Sequence, residues 1–190
     1  MEDLRKTDTK EKILQQTGYL LRKKSFQEIS LREVAQASGV SAANIYKHFA
    51  NKEDLFQQVL DELAKEVLRE YQKNFPAENN GKAGLRQLSG FLFQKLAREP
   101  LQMEFLFFSP YSKQVANDTQ SQTLYTVFLK YVEEAREEFN LAESLSSLSA
   151  RLWAFLQGYS LLASRGVLIV QPEIIERTLS DLLDGGEKNA

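Results

Sequence analysis

Hydrophobic residues recur at three- and four-residue spacing along most of the chain, and strict alternation is almost absent. That period belongs to amphipathic helices rather than half-buried strands. Ile13, Leu14, Thr17, Leu20 and Leu21 share one helical face, which predicts a first helix over about Thr9–Lys24, with the Arg22-Lys23-Lys24 run at its C-terminal end. Phe26 and Ile29 anchor a short connection. Ser30, followed three residues later by Glu33, reads as a capping box opening a second helix, with Leu31, Val34 and Ala35 on its buried face. Ser38-Gly39 ends it, since glycine takes left-handed backbone freely. Ser41 caps a third helix reaching about Phe49, with Ile45 and Phe49 inward. Asn51 caps a fourth, whose Leu55, Phe56, Val59, Leu60, Leu63, Val67 and Leu68 carry it to about Asn74.

The segment PAENNGKAG, Pro76 to Gly84, is predicted as a loop. Further helices follow over about Leu85–Arg98, shortly after Pro100, over about Thr119–Phe139, Glu143–Arg165 and Pro172–Leu183. The last opens with proline at a position that tolerates it. The prediction is an all-α protein of about nine helices, divided into an N-terminal helix-turn-helix domain (1–54) and a larger helical domain (55–190).

Composition narrows the chemistry. The 190 residues contain no cysteine, so disulfides, thiolate metal sites and cysteine nucleophiles are excluded. No apolar run approaches a membrane span of about 18 residues, and the N-terminus has no signal-peptide core, so a cytoplasmic protein without membrane association is expected. No glycine-rich phosphate loop, metal-ligand cluster or nucleophile motif occurs, so neither an enzyme nor a cofactor is expected.

A net charge of −2 argues against a nucleic-acid partner only if charge is evenly spread. It is not. From Arg5 to Lys52 there are ten lysines and arginines (5, 6, 10, 12, 22, 23, 24, 32, 47, 52) against four acids (8, 11, 28, 33). A basic N-terminal segment on an acidic remainder marks an anion-binding module.

Two short helices joined by a tight glycine turn and braced by a preceding helix form a helix-turn-helix, whose second helix enters the major groove of DNA. With Val40, Ile45 and Phe49 inward, Ser41, Ala42, Ala43, Asn44, Lys47 and His48 lie on or near the outer face. Small side chains let that helix approach base edges, Asn44 can pair bidentately with adenine, and an alanine methyl can touch thymine. Tyr46, Lys47, His48 and Lys52 suit phosphates. Ser30 and Arg32 complete the candidate DNA-contact set.

Residues about 9–55 resemble the N-terminal domain of the TetR family of transcriptional regulators. The resemblance rests on Ile13-Leu14, Leu20-Leu21, Ser30 through Ala35, Ala37 through Ser41, Ile45 through Phe49 and Asn51 through Leu55. Three positions depart from it. Ser25 replaces the usual glycine after the first helix, Ala43 stands where Gly or Pro is frequent, and Asn44 where Ser or Thr is common, so a base preference does not transfer.

The resemblance implies a homodimer that binds a palindromic operator, probed by a small molecule in the C-terminal domain, most simply as a repressor released by its effector. It places the dimer contact on the last two helices, with Leu152, Phe155, Tyr159, Leu162, Ile174, Leu179 and Leu182 as candidates. Aromatic clustering between the fifth and eighth helices suggests a bulky, largely apolar or aromatic effector. Phe105, Phe108, Tyr111, Tyr125, Phe128, Trp153 and Gln157 are its candidate contacts. A helix-turn-helix regulator controlled by a protein partner alone, and a small helical enzyme, stand as alternative readings.

Overall fold

Ser30 and Glu33 bond reciprocally, as their spacing predicts. The Ser30 hydroxyl accepts the Glu33 amide at 3.3 Å, and a Glu33 carboxylate oxygen accepts the Ser30 amide at 3.0 Å. In the computed structural model, which describes residues 2–75, 81–112 and 123–184, every regular element is helical. In chain order these are α1 (Glu2–Leu21), a 3-10 turn (Phe26–Glu28), α2 (Leu31–Ser38), α3 (Ala42–Ile45) and α4 (Lys52–Asn74). Then follow α5 (Gly81–Arg98), α6 (Pro100–Phe108), α7 (Leu124–Glu138), α8 (Leu145–Ser164) and α9 (Pro172–Asp184). The all-α class, with nine helices among the described residues, matches the periodicity. No helix among the described residues is long and apolar enough to cross a membrane.

The boundaries differ from expectation at several helix ends. Helix α1 starts at Glu2 rather than near Thr9, because a nucleated helix propagates without an apolar residue in every turn. It ends at Leu21, where the chain tightens: the Arg22 amide donates to the Tyr19 carbonyl at 3.2 Å. Helix α5 begins at Gly81, inside the segment expected to be loop. Its first amides are capped from far along the chain. Gly81 N–H donates to Glu134 at 3.3 Å and Lys82 N–H to Glu138 at 3.4 Å. The start expected at Thr119 for α7 lies outside the described residues. Thr123 caps the helix observed, through a reciprocal pair with Thr126.

Two compact units emerge, with residues 52–66 of α4 in the first and 67–74 in the second. The first comprises residues 2–66 and 101–112 of those described. Its core combines Ile13 and Leu21 of α1, Val34 of α2, Ile45 and Phe49, Leu55 and Phe56 of α4, and Phe105 of α6. The Phe105 ring lies 5.6 Å from both Phe26 and Phe56. Thus α6, remote in sequence, is part of the packing that supports the first three helices.

The second unit comprises residues 67–75, 81–100 and 123–184 of those described. Here Tyr71 of α4, Leu85, Leu88 and Phe91 of α5, Phe128, Tyr131 and Val132 of α7, Leu148 and Leu152 of α8 and Leu179 of α9 are buried together. Helices α5 and α7 pack closely because Gly84 has no side chain. A Cβ there would lie 2.4 Å from the Tyr131 ring. The buried Tyr71 hydroxyl donates to that of Tyr131 at 3.2 Å. Lys95, buried by its stem, reaches Glu70 at 2.6 Å and Glu99 at 2.8 Å, which supplies the partners a buried ammonium requires.

Candidate nucleic-acid interface

The turn between α2 and α3 has the backbone that its glycine allows. Gly39 sits at φ +66°, and its amide bonds the Ala35 and Gln36 carbonyls, which closes α2. The Ser41 hydroxyl accepts the Asn44 amide at 3.2 Å and opens α3. Regular helix ends at Ile45, four residues on, yet the chain keeps a helical path. His48 N–H bonds Ile45 O at 2.9 Å and Phe49 N–H bonds it at 3.0 Å. The path to Phe49 is therefore α3 followed by tight turns, not one uniform helix.

Ile45 and Phe49 are buried, which orients the rest of this segment. Ser41, Ala42, Ala43, Tyr46 and Lys47 are exposed, whereas Asn44, His48 and Lys52 are half-buried. Tyr46 is 59% exposed, a large ring presented to solvent with no core to fill. Ser30 and Arg32 are exposed at the start of α2. The Ser30 and Ser41 hydroxyls already serve as caps, so their free capacity is what remains beside those bonds.

Electrostatic contacts fix this module from both ends. The Glu33 carboxylate pairs with the Lys24 ammonium, and that bond, with the Ser30 amide, holds its pKa down from 4.5 to about 2. At the other end, Asp54 accepts the Ala50 amide at 2.8 Å, while the Asp54 amide donates to the Asn51 side chain at 2.7 Å. The Ala50 bond and that from Gln58 hold the Asp54 carboxyl below its usual range. Two cations outside the candidate set also lie against the module. Lys12 Nζ stands 3.7 Å from the place a Gly39 Cβ would take, and Lys10 Nζ lies 5.8 Å from the Phe49 ring centre. Both belong to the basic surplus of the N-terminal segment, the one sequence signal that includes them.

The aromatic candidates for an effector separate into groups. Phe105 and Tyr111 belong to the first unit, where Tyr111 stacks on Phe56 at 5.8 Å and Phe105 is fully buried. Phe108 is half-buried beside Phe107. Tyr125, Phe128 and Trp153 cluster in the second unit, with Trp153 5.1 Å from Tyr125 and 4.9 Å from Phe128. On α8, one turn to either side of Trp153, Ser149 Oγ and Gln157 Oε1 are buried without a hydrogen-bond partner. Ser149 is not among the sequence candidates, because a single serine in a serine-rich helix carries no sequence signal.

The interface candidates also divide. Leu152, Tyr159 and Leu179 are buried within the chain, Phe155 and Leu182 are half-buried, and Leu162 and Ile174 are exposed, at 43% and 40%. Between α8 and α9, Val167 and Ile169 are exposed as well, and the Tyr159 hydroxyl fixes this connection by accepting the Gln171 amide at 3.0 Å.

Comparison with known proteins places this geometry. A family model for the bacterial regulatory proteins of the tetR family matches residues 13–59. An uncharacterised HTH-type transcriptional regulator of Haemophilus influenzae is 33% identical over 57 residues, 28% of each chain. The match thus spans just over a quarter of that relative. A protein of unknown function from Rhodococcus sp. RHA1 superposes with a TM-score of 0.71, at 19% identity, over 95% of this chain and 96% of its own. A TetR family transcription regulator from Marinobacter aquaeolei VT8 gives 0.66, at 18% identity, over 97% of each chain. At these identities the likeness is one of fold.

Proposed function

Because this chain carries the N-terminal domain of the tetR family of bacterial regulatory proteins on a TetR-like helical fold, we propose that it is a DNA-binding transcriptional regulator. The carrying observation is the segment from Ser41 to Lys47, where Ile45 turns inward and small, polar and basic side chains face solvent. Such a face fits the major groove. Ala42 and Ala43 permit close approach, Asn44 reads an adenine edge, and Tyr46, Lys47, His48 and Lys52 contact phosphates. Ser41, Ser30 and Arg32 lie at helix starts, where backbone amides also favour phosphate.

In this reading residues 1–54 are the DNA-binding domain and 55–190 the effector and dimerisation domain, and the protein works in the cytoplasm as a homodimer. Exposed Leu162 and Ile174, with Phe155 and Leu182, form the contact between copies, while Leu152, Tyr159 and Leu179 support it from beneath. A palindromic operator follows from two-fold symmetry, with half-sites about 34–36 Å apart. The protein acts as a repressor, released by a largely apolar or aromatic effector. Tyr125, Phe128 and Trp153 support that chemistry, and the unpartnered Ser149 Oγ and Gln157 Oε1 supply the few polar contacts that orient such a ligand. Phe105 and Tyr111 pack on Phe56 within the first unit and are not assigned to this ligand set.

Selection of bound duplexes from a random DNA pool tests the reading. Recovery of one palindromic sequence is expected, and recovery of unrelated sequences in equal measure would remove it.

A further inference from the structure

Helix α6 follows α5 with only Glu99 between them, and within the first unit its inward face carries Met103, Phe105 and Leu106. In the midst of these apolar residues is a primary amide. Gln102 is 3% exposed, and its Nε2 donates to the Gly18 carbonyl of α1 at a long 3.4 Å. That carbonyl is available because the last turn of α1 tightens, so that the Arg22 amide goes to Tyr19 instead. Gln102 Oε1 has no partner, and two helical turns on, at the same face, neither has the buried Ser109 Oγ.

A buried acceptor with no donor opposes the packing that buries it, because it regains water when the contact opens. The ring contacts of Phe105 with Phe26 and Phe56 and the long Gln102 Nε2 bond pull α6 onto this unit, while the unpartnered Gln102 Oε1 and Ser109 Oγ push the other way.

We propose that Gln102 and Ser109 set the docking of α6 close to balance, making it a reversible element that a small free-energy input releases. An all-apolar face would hold α6 closed and leave a ligand little to shift. The consequence rests on the regulatory reading above: release of α6 loosens the unit that carries α3 and weakens operator binding.

The experiment compares Gln102→Met, of similar length and free of polar atoms, with Gln102→Glu, in the full-length protein. Backbone hydrogen exchange is followed in the peptide covering residues 100–110, alongside operator affinity. Gln102→Met is expected to slow α6 exchange about tenfold and to raise the melting temperature, and Gln102→Glu to speed exchange. Ser109→Ala is expected to act in the direction of Met. Faster or unchanged exchange in Gln102→Met would show the amide to be a plain anchor and overturn the proposal. Slower exchange with operator affinity unchanged would overturn the coupling. Slower exchange in a protein that binds no DNA, variant or parent, would leave the marginal docking standing and remove the regulatory reading alone.

Discussion

Asp54 and Ala50 hold the end of the turns that follow α3 to the start of α4: the carboxylate of one accepts the backbone amide of the other at 2.8 Å. The Asn51 side chain in turn accepts the Asp54 amide at 2.7 Å, so two bonds cap the start of α4. Removing the carboxylate in Asp54→Ala frees the Ala50 amide and is expected to cost about 1 kcal/mol of stability. Because the depressed carboxyl favours its ionised form when folded, this contribution is present above the ordinary pKa of 3.8 and fades as pH falls below it. Denaturant titration at neutral and acid pH measures it. Equal stability of parent and variant at neutral pH would contradict the cap.

Glu33 provides a second acid-sensitive contact. Its folded pKa of about 2 lies below the ordinary 4.5, so its contribution is full above 4.5 and is lost as pH falls toward 2. Glu33→Gln preserves a side-chain acceptor for the Ser30 amide but removes the charge opposite Lys24. The variant is expected to show a shallower loss of stability over that window. Urea midpoints at several pH values decide it, and parallel curves would show that the charge contributes nothing.

The contact between Gly84 and the Tyr131 ring predicts intolerance of a single methyl group. Gly84→Ala places a Cβ 2.4 Å from ring carbon and is expected to destabilise the protein by about 1–3 kcal/mol, despite the better helix propensity of alanine. Replacing Tyr131 with Leu in the same chain should restore part of that loss. Thermal melts of the single and double variants read the coupling, and strict additivity would refute it.

Why some of this was legible in sequence and some not follows from where each partner lies. The caps at Ser30, Ser41 and Asn51 and the glycine turn at Gly39 are made by groups within four residues, so spacing reveals them. The start of α5 depends on Glu134 and Glu138, more than fifty residues away, and nothing near Gly81 announces them. Likewise Phe105 and Trp153 look alike as aromatic residues between helices. Only tertiary packing sets Phe105 against Phe56 and Trp153 against Phe128.

The burial pattern of α8 and α9 selects the residues that test dimerisation. Leu179 is buried within its own chain, so a charge there would unfold the unit whether or not a partner exists. Leu162 and Ile174 are exposed and avoid that confusion. Leu162→Glu and Ile174→Glu are each expected to give a folded monomer, because association would desolvate the new carboxylate. Sedimentation with circular dichroism measures both properties, and an intact dimer in both variants would move the contact elsewhere.

The most direct test of the DNA-binding account is equilibrium binding of the parent and of Asn44→Ala and Lys47→Ala to a selected palindrome and a scrambled duplex, over a range of salt. The parent should prefer the palindrome by about a thousandfold or more, with affinity falling steeply as salt rises. Asn44→Ala should lose about 1–3 kcal/mol of discrimination at one base step. Lys47→Ala should weaken binding to both duplexes alike and flatten the salt dependence. Equal affinity of the parent for the palindrome and the scrambled duplex at every salt concentration would contradict specific recognition by this segment.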